Sequence, residues 1–251
     1  MPEIGIIIQV RTGSRRLPKK SILPFYKGKS ILELILIRLK PLCKNYQIII
    51  STTKKEEDDL IVKIATNYNI KFYRGDEDDV LNRFIETATA YKLKSIIRVC
   101  ADNPFLDVKS IKRLLYLYKN IENLDYCSYK NYKGIPVIKT HIGVFTEIVR
   151  LNALEKAYKL ISNNIYKEHV TNYIYSNPNV FNIHLDKSPV EVFHREDLRF
   201  TVDDVQDFEY LSLIFDHYYK NQYDLKSLIE FVDSDPKSKK IMIKNIIKNS
   251  K

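Results

Sequence analysis

Ten residues near the start of the chain place several cationic side chains directly behind an apolar run. Residues 4–10 read Ile-Gly-Ile-Ile-Ile-Gln-Val, and residues 11–20 follow as Arg-Thr-Gly-Ser-Arg-Arg-Leu-Pro-Lys-Lys. An apolar, β-branched run of this length predicts a buried strand. Guanidinium and ammonium groups at the carboxyl end of a first strand suit the oxygens of a polyphosphate. Residues 11–20 therefore form a candidate phosphate-binding loop.

The other interpretation of this loop is a solvated basic segment, which is what most runs of charge are. That interpretation does not account for the position immediately after a buried strand, so phosphate binding is the better explanation. The spacing matches neither a Walker loop nor the Gly-x-Gly-x-x-Gly dinucleotide fingerprint. A different kind of nucleotide site is therefore expected.

Two aspartates, Asp102 and Asp203, each follow a strand-like run. Asp102 follows residues 95–100, and Asp203 follows residues 198–202. Carboxylates at strand ends of a parallel sheet face the ligand side and can hold Mg²⁺ against phosphates. The alternative for Asp102 is a structural role, in which Asp102 or Asn103 caps the turn before Pro104. For Asp207, which lies in the first turn of a predicted helix, ordinary capping is the stronger interpretation.

Five motifs in order resemble those of the CMP-KDO and CMP-acylneuraminate synthetase superfamily. They are closest to its SpsF-type branch of spore-coat polysaccharide biosynthesis. The motifs are Arg-x-x-Ser-x-Arg-Leu-Pro-x-Lys at 11–20, Arg-Gly-Asp-Glu-Asp-Asp-Val-Leu-Asn-Arg-Phe at 74–84, Ala-Asp-Asn-Pro-Phe-Leu at 101–106, Glu-His-Val-Thr at 168–171 and Leu-Arg-Phe-Thr-Val-Asp at 198–203. Five positions depart from the family pattern: Ala101, Phe105, Lys167, Asp204 and Val205. Because Asp204 and Val205 directly follow Asp203, the turn there is expected to differ from that of the family.

The resemblance implies roles for individual residues. It implies that Arg11, Arg16 and Lys20 are catalytic, because the loop wraps the triphosphate of CTP in these enzymes. It implies nucleotide contacts from Arg11, Thr12, Gly13, Ser14, Arg16, Lys20, Ser51, Thr52, Asp79 and Arg83. It implies that Asp102 and Asp203 hold Mg²⁺ and that Glu147, Lys167 and His169 line the acceptor pocket. From spacing alone, Asp79 and Arg83 also fit an ion pair along a helix, and His169 also fits a structural role.

The elements that must position these residues alternate between strands and helices over the first ~120 residues. This alternation predicts a parallel sheet with helices on both faces. With the resemblance, we expect a single α/β Rossmann-like domain over residues 1–251, of the nucleotide-diphospho-sugar transferase type. Residues 1–125 are expected to form the nucleotide half, and 126–220 the acceptor side with a homodimer contact. A small β-rich insertion is expected at about 126–200, and 221–251 are expected to be a basic, helical C-terminal segment.

Composition narrows the class of protein. The net charge is +10, and residues 11–29 and 237–251 carry seven and six basic side chains with no acidic one. These two clusters exceed the whole net charge, which fits a local anion site and a basic tail better than a continuous nucleic-acid-binding face.

The three cysteines have no metal-site spacing. No apolar run is long enough for a membrane span, and no signal-peptide pattern is present, so a cytoplasmic protein is expected.

These observations lead to one hypothesis and two alternatives. The hypothesis is a Mg²⁺-dependent cytidylyltransferase that transfers CMP from CTP to a sugar acid or a phosphorylated small molecule and releases pyrophosphate. A glycosyltransferase of similar fold is the first alternative, although the second Asp of an Asp-x-Asp metal motif is missing at Asp102–Pro104. A basic nucleic-acid-binding protein is the remote alternative, since no known binding motif is present.

Overall fold

Strand β1, Ile4–Gln9, lies inside a seven-stranded sheet. The computed structural model describes residues 3–163 and 165–249. The remaining strands are β2 Pro24–Tyr26, β3 Lys29–Ser30, β4 Gln47–Thr53, β5 Lys71–Gly75, β6 Ser95–Cys100, β7 Tyr126–Lys130, β8 Glu147–Arg150 and β9 Ile183–Lys187. The order across the sheet is β5-β4-β1-β6-β8-β7-β9, and β2 pairs with β3 in a separate hairpin. Within the seven-stranded sheet, β8 runs antiparallel to both of its neighbours, and the other pairings are parallel. The predicted mostly parallel α/β sheet is confirmed.

The helices follow the predicted alternation in the first half of the chain. They are α1 Ile31–Leu39, α2 Asp59–Asn67, α3 Val80–Ala90, α4 Val108–Asn120, α5 Leu151–Leu160, α6 Ile165–Glu168, α7 Asn172–Ser176, α8 Val190–Phe193, α9 Val205–Lys220, α10 Leu225–Ser234 and α11 Pro236–Asn249. Within the described ranges, no helix has the length and apolar character to cross a membrane. The 3₁₀ turn Glu56–Asp58 precedes α2 and becomes important for the site.

Both faces of the sheet are covered by apolar packing, as expected for parallel strands. Along β1, Ile6 and Ile8 pack into one apolar cluster while Ile7 packs into the other, because successive strand side chains point to opposite faces. All three side chains are fully buried. The sheet is therefore a rigid platform from whose edge the loops project.

In the second half of the chain, strands β7, β8 and β9 of the expected β-rich insertion join the main sheet. Residues 198–202, predicted as a strand, form no strand but an extended, largely buried segment. Two of its backbone N–H groups donate to backbone carbonyls, Phe200 N–H to that of His141 at 3.2 Å and Val202 N–H to that of Asp102 at 2.8 Å.

The strand order places a crevice at the carboxyl ends of β1 and β6. The chain runs outward from β1 through β4 to β5 and then returns to β6 on the other side of β1. Ligands bind in α/β sheets where the strand order reverses in this way. The loop after β1 and the turn after β6, residues 11–20 and 101–107, both lie at this point.

Candidate active site

The loop after β1 is anchored by a buried carboxylate, that of Asp58. Its Oδ1 accepts the backbone N–H of Thr12 at 2.8 Å and the Thr12 hydroxyl at 2.6 Å. Its Oδ2 accepts the Thr52 hydroxyl at 2.9 Å and both the backbone N–H and the hydroxyl of Thr53. Burial alone raises the pKa of Asp58, but these hydrogen bonds outweigh it and lower the pKa. The carboxylate therefore stays ionised and ties the loop to the end of β4.

Lys20 brings the two predicted metal ligands together. Its Nζ lies 3.4 Å from Asp102 Oδ2 and 3.5 Å from Asp203 Oδ1, and it also donates to the Val202 carbonyl. The side chain of Lys20 is 12% exposed, whereas those of Asp102 and Asp203 are 32% and 21% exposed. The ammonium thus lies between two partly exposed carboxylates.

Arg16 adds a second cation on the outer side of Asp203. Its Nη2 lies 2.7 Å from Asp203 Oδ1, and its Nη1 donates to the side-chain oxygen of Asn249 on α11. Burial raises the pKa of Asp203, but Lys20 and Arg16 outweigh it and lower the pKa. Asp203 is therefore an anion held among cations from a distant part of the sequence.

Behind Asp203 lies the buried ion pair of Arg199 and Asp207. The sequence analysis assigns Asp207 to ordinary helix capping and gives Arg199 no role. The Arg199 guanidinium donates to Asp207 at 2.8 and 2.6 Å and to Asp203 Oδ2 at 2.9 Å, and it meets His141 Nδ1 at 2.6 Å. Asp207 also accepts the backbone N–H of Asp203 at 2.9 Å. Because burial and the neighbouring Arg199 lower the pKa of His141, the imidazole is neutral and accepts from the guanidinium. Arg199 and Asp207 thereby fix both the backbone and the carboxylate of Asp203.

Arg11 is held at the opposite side of the loop by Glu77. The two side chains are 3.5 Å apart, and Lys55 also pairs with Glu77. Glu77 Oε1 lies so close to Gly13 that a Cβ at position 13 would meet it at 2.9 Å. The structure therefore places Glu77 beside the loop, although from the motif at 74–84 the sequence analysis assigned roles only to Asp79 and Arg83.

Arg83 lies beneath this loop rather than at its surface. It is fully buried, and its Nη1 donates to the carbonyls of Asp76 and Glu77. Burial, with Arg11 nearby, lowers the pKa of Arg83 to about 10, so it remains charged near neutral pH. Among the described atoms, its Nε and Nη2 are buried without hydrogen-bond partners. The contacts that the structure gives Arg83 position the segment that carries Glu77.

Ser51 and Thr52 lie at the end of β4, as predicted, but both are fully buried. The Ser51 hydroxyl pairs with that of Thr87 at 3.1 Å, and the Thr52 hydroxyl donates to Asp58. Ser14 lies at the loop surface, with its backbone N–H donating to the Thr12 carbonyl at 2.9 Å. Of these three residues, Ser14 is the one placed to meet a ligand directly.

Glu147, predicted in the acceptor pocket, is buried in the centre of the sheet. Its Oε1 accepts Arg98 Nη1 at 2.6 Å and the Thr171 hydroxyl at 2.8 Å, and its Oε2 accepts the Tyr126 hydroxyl. Arg98 also donates to the side-chain oxygen of Gln9 at 3.1 and 3.3 Å. This network links β1, β6, β7 and β8 to the segment 168–171 and leaves Glu147 a positioning role there.

The other acceptor candidates lie near one another beside α3. Lys167 Nζ is 3.6 Å from Asp79 Oδ2, which also accepts the Tyr158 hydroxyl at 3.0 Å. Asp79 caps α3 by accepting the backbone N–H of Asn82 at 2.9 Å, so it is held from both sides. His169 is exposed two residues further along. Next to it, Glu168 lies 4.0 Å from Arg11, which joins this segment to the phosphate-binding loop.

The donor set at Asp102 and Asp203 fits a Mg²⁺ ion shared with a substrate. Among the described residues, no group of three or more His, Cys, Asp and Glu side chains is arranged to enclose a metal ion. Mg²⁺ does not need such a cage, since it binds through one or two carboxylates together with substrate phosphates and waters. The partly exposed carboxylates of Asp102 and Asp203, which converge on Lys20, supply such ligands.

A cavity of about 500 Å³ lies away from these residues, around the starts of β4 and β5, and is lined in part by Tyr46, Gln47 and Lys71. In parallel sheets, ligands bind at the carboxyl ends of strands rather than at their starts. The converging charged groups after β1 and β6 are therefore the stronger candidate site.

Sequence comparisons identify the family and relatives of this chain. A family model described as cytidylyltransferase matches residues 5–241. An uncharacterised protein of Methanocaldococcus jannaschii is 39% identical over 242 residues, covering 96% of this chain and 94% of that protein. The spore coat polysaccharide biosynthesis protein SpsF of Bacillus subtilis is 29% identical over 221 residues, covering 86% of this chain and 87% of SpsF.

Solved structures share the fold. A cytidylyltransferase from Leptospira borgpetersenii serovar Hardjo-bovis has a TM-score of 0.82 at 26% identity, covering 95% of this chain and 97% of that one. A CMP:2-keto-3-deoxy-manno-octonic acid synthetase complexed with CTP has a TM-score of 0.63 at 15% identity, covering 85% and 98%. At that identity, the second comparison shows the fold alone.

Proposed function

The chain belongs to the cytidylyltransferase family and is a CTP-dependent nucleotidyltransferase, and we propose that it transfers CMP from CTP to a small anionic acceptor. The acceptor is a sugar acid or a phosphorylated small molecule, and the product serves surface glycan synthesis. The relative named for spore coat polysaccharide biosynthesis supports that setting. The observation that carries the proposal is the convergence of Lys20, Asp102 and Asp203 behind the phosphate-binding loop.

The proposed reaction is a single displacement at the α-phosphorus of CTP. An acceptor oxygen, either an ionised phosphate oxygen or a hydroxyl that releases its proton to solvent, forms a bond to that phosphorus. The bond to the oxygen of the β-phosphate breaks, and pyrophosphate leaves with the electron pair. Negative charge grows on the departing pyrophosphate, so catalysis consists of positioning and of stabilising that charge. No covalent nucleophile on the protein is required.

The cations of the loop supply the charge stabilisation in this proposal. Lys20 and Arg16 approach from the Asp203 side, and Arg11 approaches from the Glu77 side. Asp102 and Asp203 would hold Mg²⁺, which supplies neutralising charge to the phosphates when bound.

The cations are already paired with carboxylates in the absence of substrate. Glu77 neutralises Arg11 and Lys55, and Asp203 neutralises Arg16 and Lys20. Entering phosphates therefore take over partners that the protein has pre-positioned, rather than ordering free side chains. Preorganised charge of this kind needs little rearrangement during the reaction.

The test is pyrophosphate release from CTP and Mg²⁺ across a panel of sugar acids and phosphorylated acceptors. We expect turnover with at least one acceptor and a loss of about 100-fold or more in kcat/KM for Lys20→Ala. Arg15→Ala is the matched control, because Arg15 is an exposed cation of the same loop. It should stay within about threefold of the parent. Absence of CTP binding and turnover, or equal behaviour of the two variants, contradicts the proposal.

A further inference from the structure

One face of the C-terminal helix α11 contacts the groups that surround Asp203. Met242, Asn245 and Asn249 are spaced by three and four residues, which places them on the same side of a helix. Met242 is buried, and its Sδ accepts the backbone N–H of Arg199 at 3.5 Å. The family model ends at residue 241, so these three residues lie beyond the segment that it matches.

Asn245 completes the hydrogen bonding of the buried carboxylate behind Asp203. Its Nδ2 donates to Asp207 Oδ1 at 2.9 Å, and the Asn245 side chain is buried. The other oxygen of Asp207 accepts the backbone N–H of Asp203, and both oxygens accept from Arg199. Removing the amide would leave a charged, buried acceptor with one donor fewer, which is costly in a low-dielectric setting.

Asn249 contacts Arg16, the cation on the outer side of Asp203. Its side-chain oxygen accepts from Arg16 Nη1, while Arg16 Nη2 contacts Asp203 at 2.7 Å. The Asn249 amide nitrogen lies 3.5 Å from Asp204 Oδ2, which pairs with Lys248 at 2.8 Å. The helix is therefore clamped to the turn after Asp203 by several polar contacts and also orients a cation of the phosphate-binding loop.

We infer that Asn245 and Asn249 are positioning residues of the nucleotide site, and this inference rests on the proposed function. Asn245 acts through Asp207 and Arg199 on the orientation of Asp203. Asn249 acts on Arg16, because it holds one guanidinium nitrogen while the other contacts Asp203. The basic C-terminal segment is thus a structural part of the triphosphate end of the site, with a role in ligand affinity.

The test compares CTP binding, in the presence of Mg²⁺, between the full-length parent and three variants. Asn245→Leu keeps the size of the buried side chain but removes the amide, and we expect the Kd for CTP to rise about tenfold. For Asn249→Ala we expect a rise of about threefold, since an exposed contact is weaker. Lys244→Ala is the control, because Lys244 lies on the outward face of the same helix and is exposed.

If Asn245 and Asn249 only stabilise the fold, their variants should show a different pattern. The substitutions would then lower the fraction of folded protein, which reduces binding stoichiometry and kcat. They would leave Kd and KM for CTP unchanged. Calorimetric titration gives Kd and stoichiometry together, and thermal unfolding reports the fold of each variant. If Asn245→Leu does not fold, Asn249→Ala decides the question, since its side chain is not in the core.

The outcomes separate this inference from the proposed function. Weaker CTP binding by the asparagine variants at full stoichiometry, with Lys244→Ala equal to the parent, supports it. Parent-like Kd values in the folded asparagine variants, or an equal loss in Lys244→Ala, overturn it while leaving the proposed function intact. A parent protein that does not bind CTP overturns the proposed function itself.

Discussion

At the scale of single residues, Asp58 shows how one carboxylate can organise a binding loop. It receives donors from Thr12 on one side and from Thr52 and Thr53 on the other, and Thr12 lies 46 residues away in sequence. These contacts hold the first residues of the phosphate-binding loop against the end of β4. The loop is therefore preorganised before a ligand arrives.

Asp58→Asn should weaken both the fold and the site. The amide cannot accept at its nitrogen, so buried donors lose their partner, and we expect a loss of about 2–4 kcal/mol in the free energy of unfolding. The Kd for CTP should rise about tenfold, as the loop loses its anchor. Because the pKa of Asp58 is lowered in the folded protein, its contribution is present above about pH 4 and decreases on further acidification.

The control for this prediction is the neighbouring Asp59→Asn. Asp59 is 64% exposed and pairs with Arg74 at 2.6 Å, so its loss should cost less than about 1 kcal/mol. Urea unfolding at neutral and acidic pH, with CTP titration, checks both variants. Equal stability of the two variants would show that the Asp58 contacts do not anchor the loop.

At the scale of elements, the site depends on a close approach of two backbone segments. Gly143 has a φ of +62°, and a Cβ built there would lie 2.8 Å from the backbone nitrogen of Thr201. The adjoining hydrogen bond from Phe200 N–H to the His141 carbonyl belongs to the same contact. Because Gly143 has no Cβ, residues 198–203 can pack directly against its backbone. This packing places Asp203 beside Lys20.

Gly143→Ala should destabilise the protein and weaken CTP binding. Strain at positive φ costs about 1–2 kcal/mol, and the clash with backbone adds to it because Thr201 cannot rotate away. Gly134→Ala is a matched control, since Gly134 also has a positive φ of +77° but nothing lies within 4 Å of its Cβ position. Thermal unfolding should show a larger loss of stability in Gly143→Ala than in Gly134→Ala. CTP titration should show a loss of affinity in Gly143→Ala alone.

At the scale of the whole molecule, positive charge is concentrated in two clusters, residues 11–29 and 237–251. The loop after β1 supplies Arg11, Arg16 and Lys20, and the C-terminal helix supplies Lys248 and the Asn249 side chain that contacts Arg16. Both clusters are tied to carboxylates of the body of the protein. This arrangement suits a compact polyanion better than an extended nucleic acid.

CTP with Mg²⁺ should therefore stabilise the folded chain. At about 100 times Kd, a ligand that binds only the folded state adds about 2.7 kcal/mol. In a chain of this size, that raises the unfolding midpoint by roughly 5–10 °C. Lys20→Ala should show no shift at the same CTP concentration. Single-stranded DNA at physiological salt should not reproduce the shift, and a steeply salt-dependent stabilisation by DNA would favour nucleic-acid binding instead.

Much of the nucleotide half could be predicted from local pattern. The predicted strand at residues 95–100 coincides with β6, and the apolar run at 4–10 contains β1, because buried parallel strands are continuous apolar runs. The predicted strand at 198–202 was wrong, because the hydrogen bonds of that segment go to isolated carbonyls of His141 and Asp102 rather than to a neighbouring strand. The assigned roles of the site residues remain predictions that the variants above test.

The sequence by itself determined the alternating elements, the cationic loop, the two aspartates and the family, because each depends on residues close together along the chain. The tertiary structure decided which groups meet: Asp58 with Thr12, Arg199 with Asp203, and Asn245 with Asp207. It also decided that Glu147 and Arg83 are buried. Such contacts depend on strand order and on the docking of α11 against the core, and no periodicity along the chain encodes either of them.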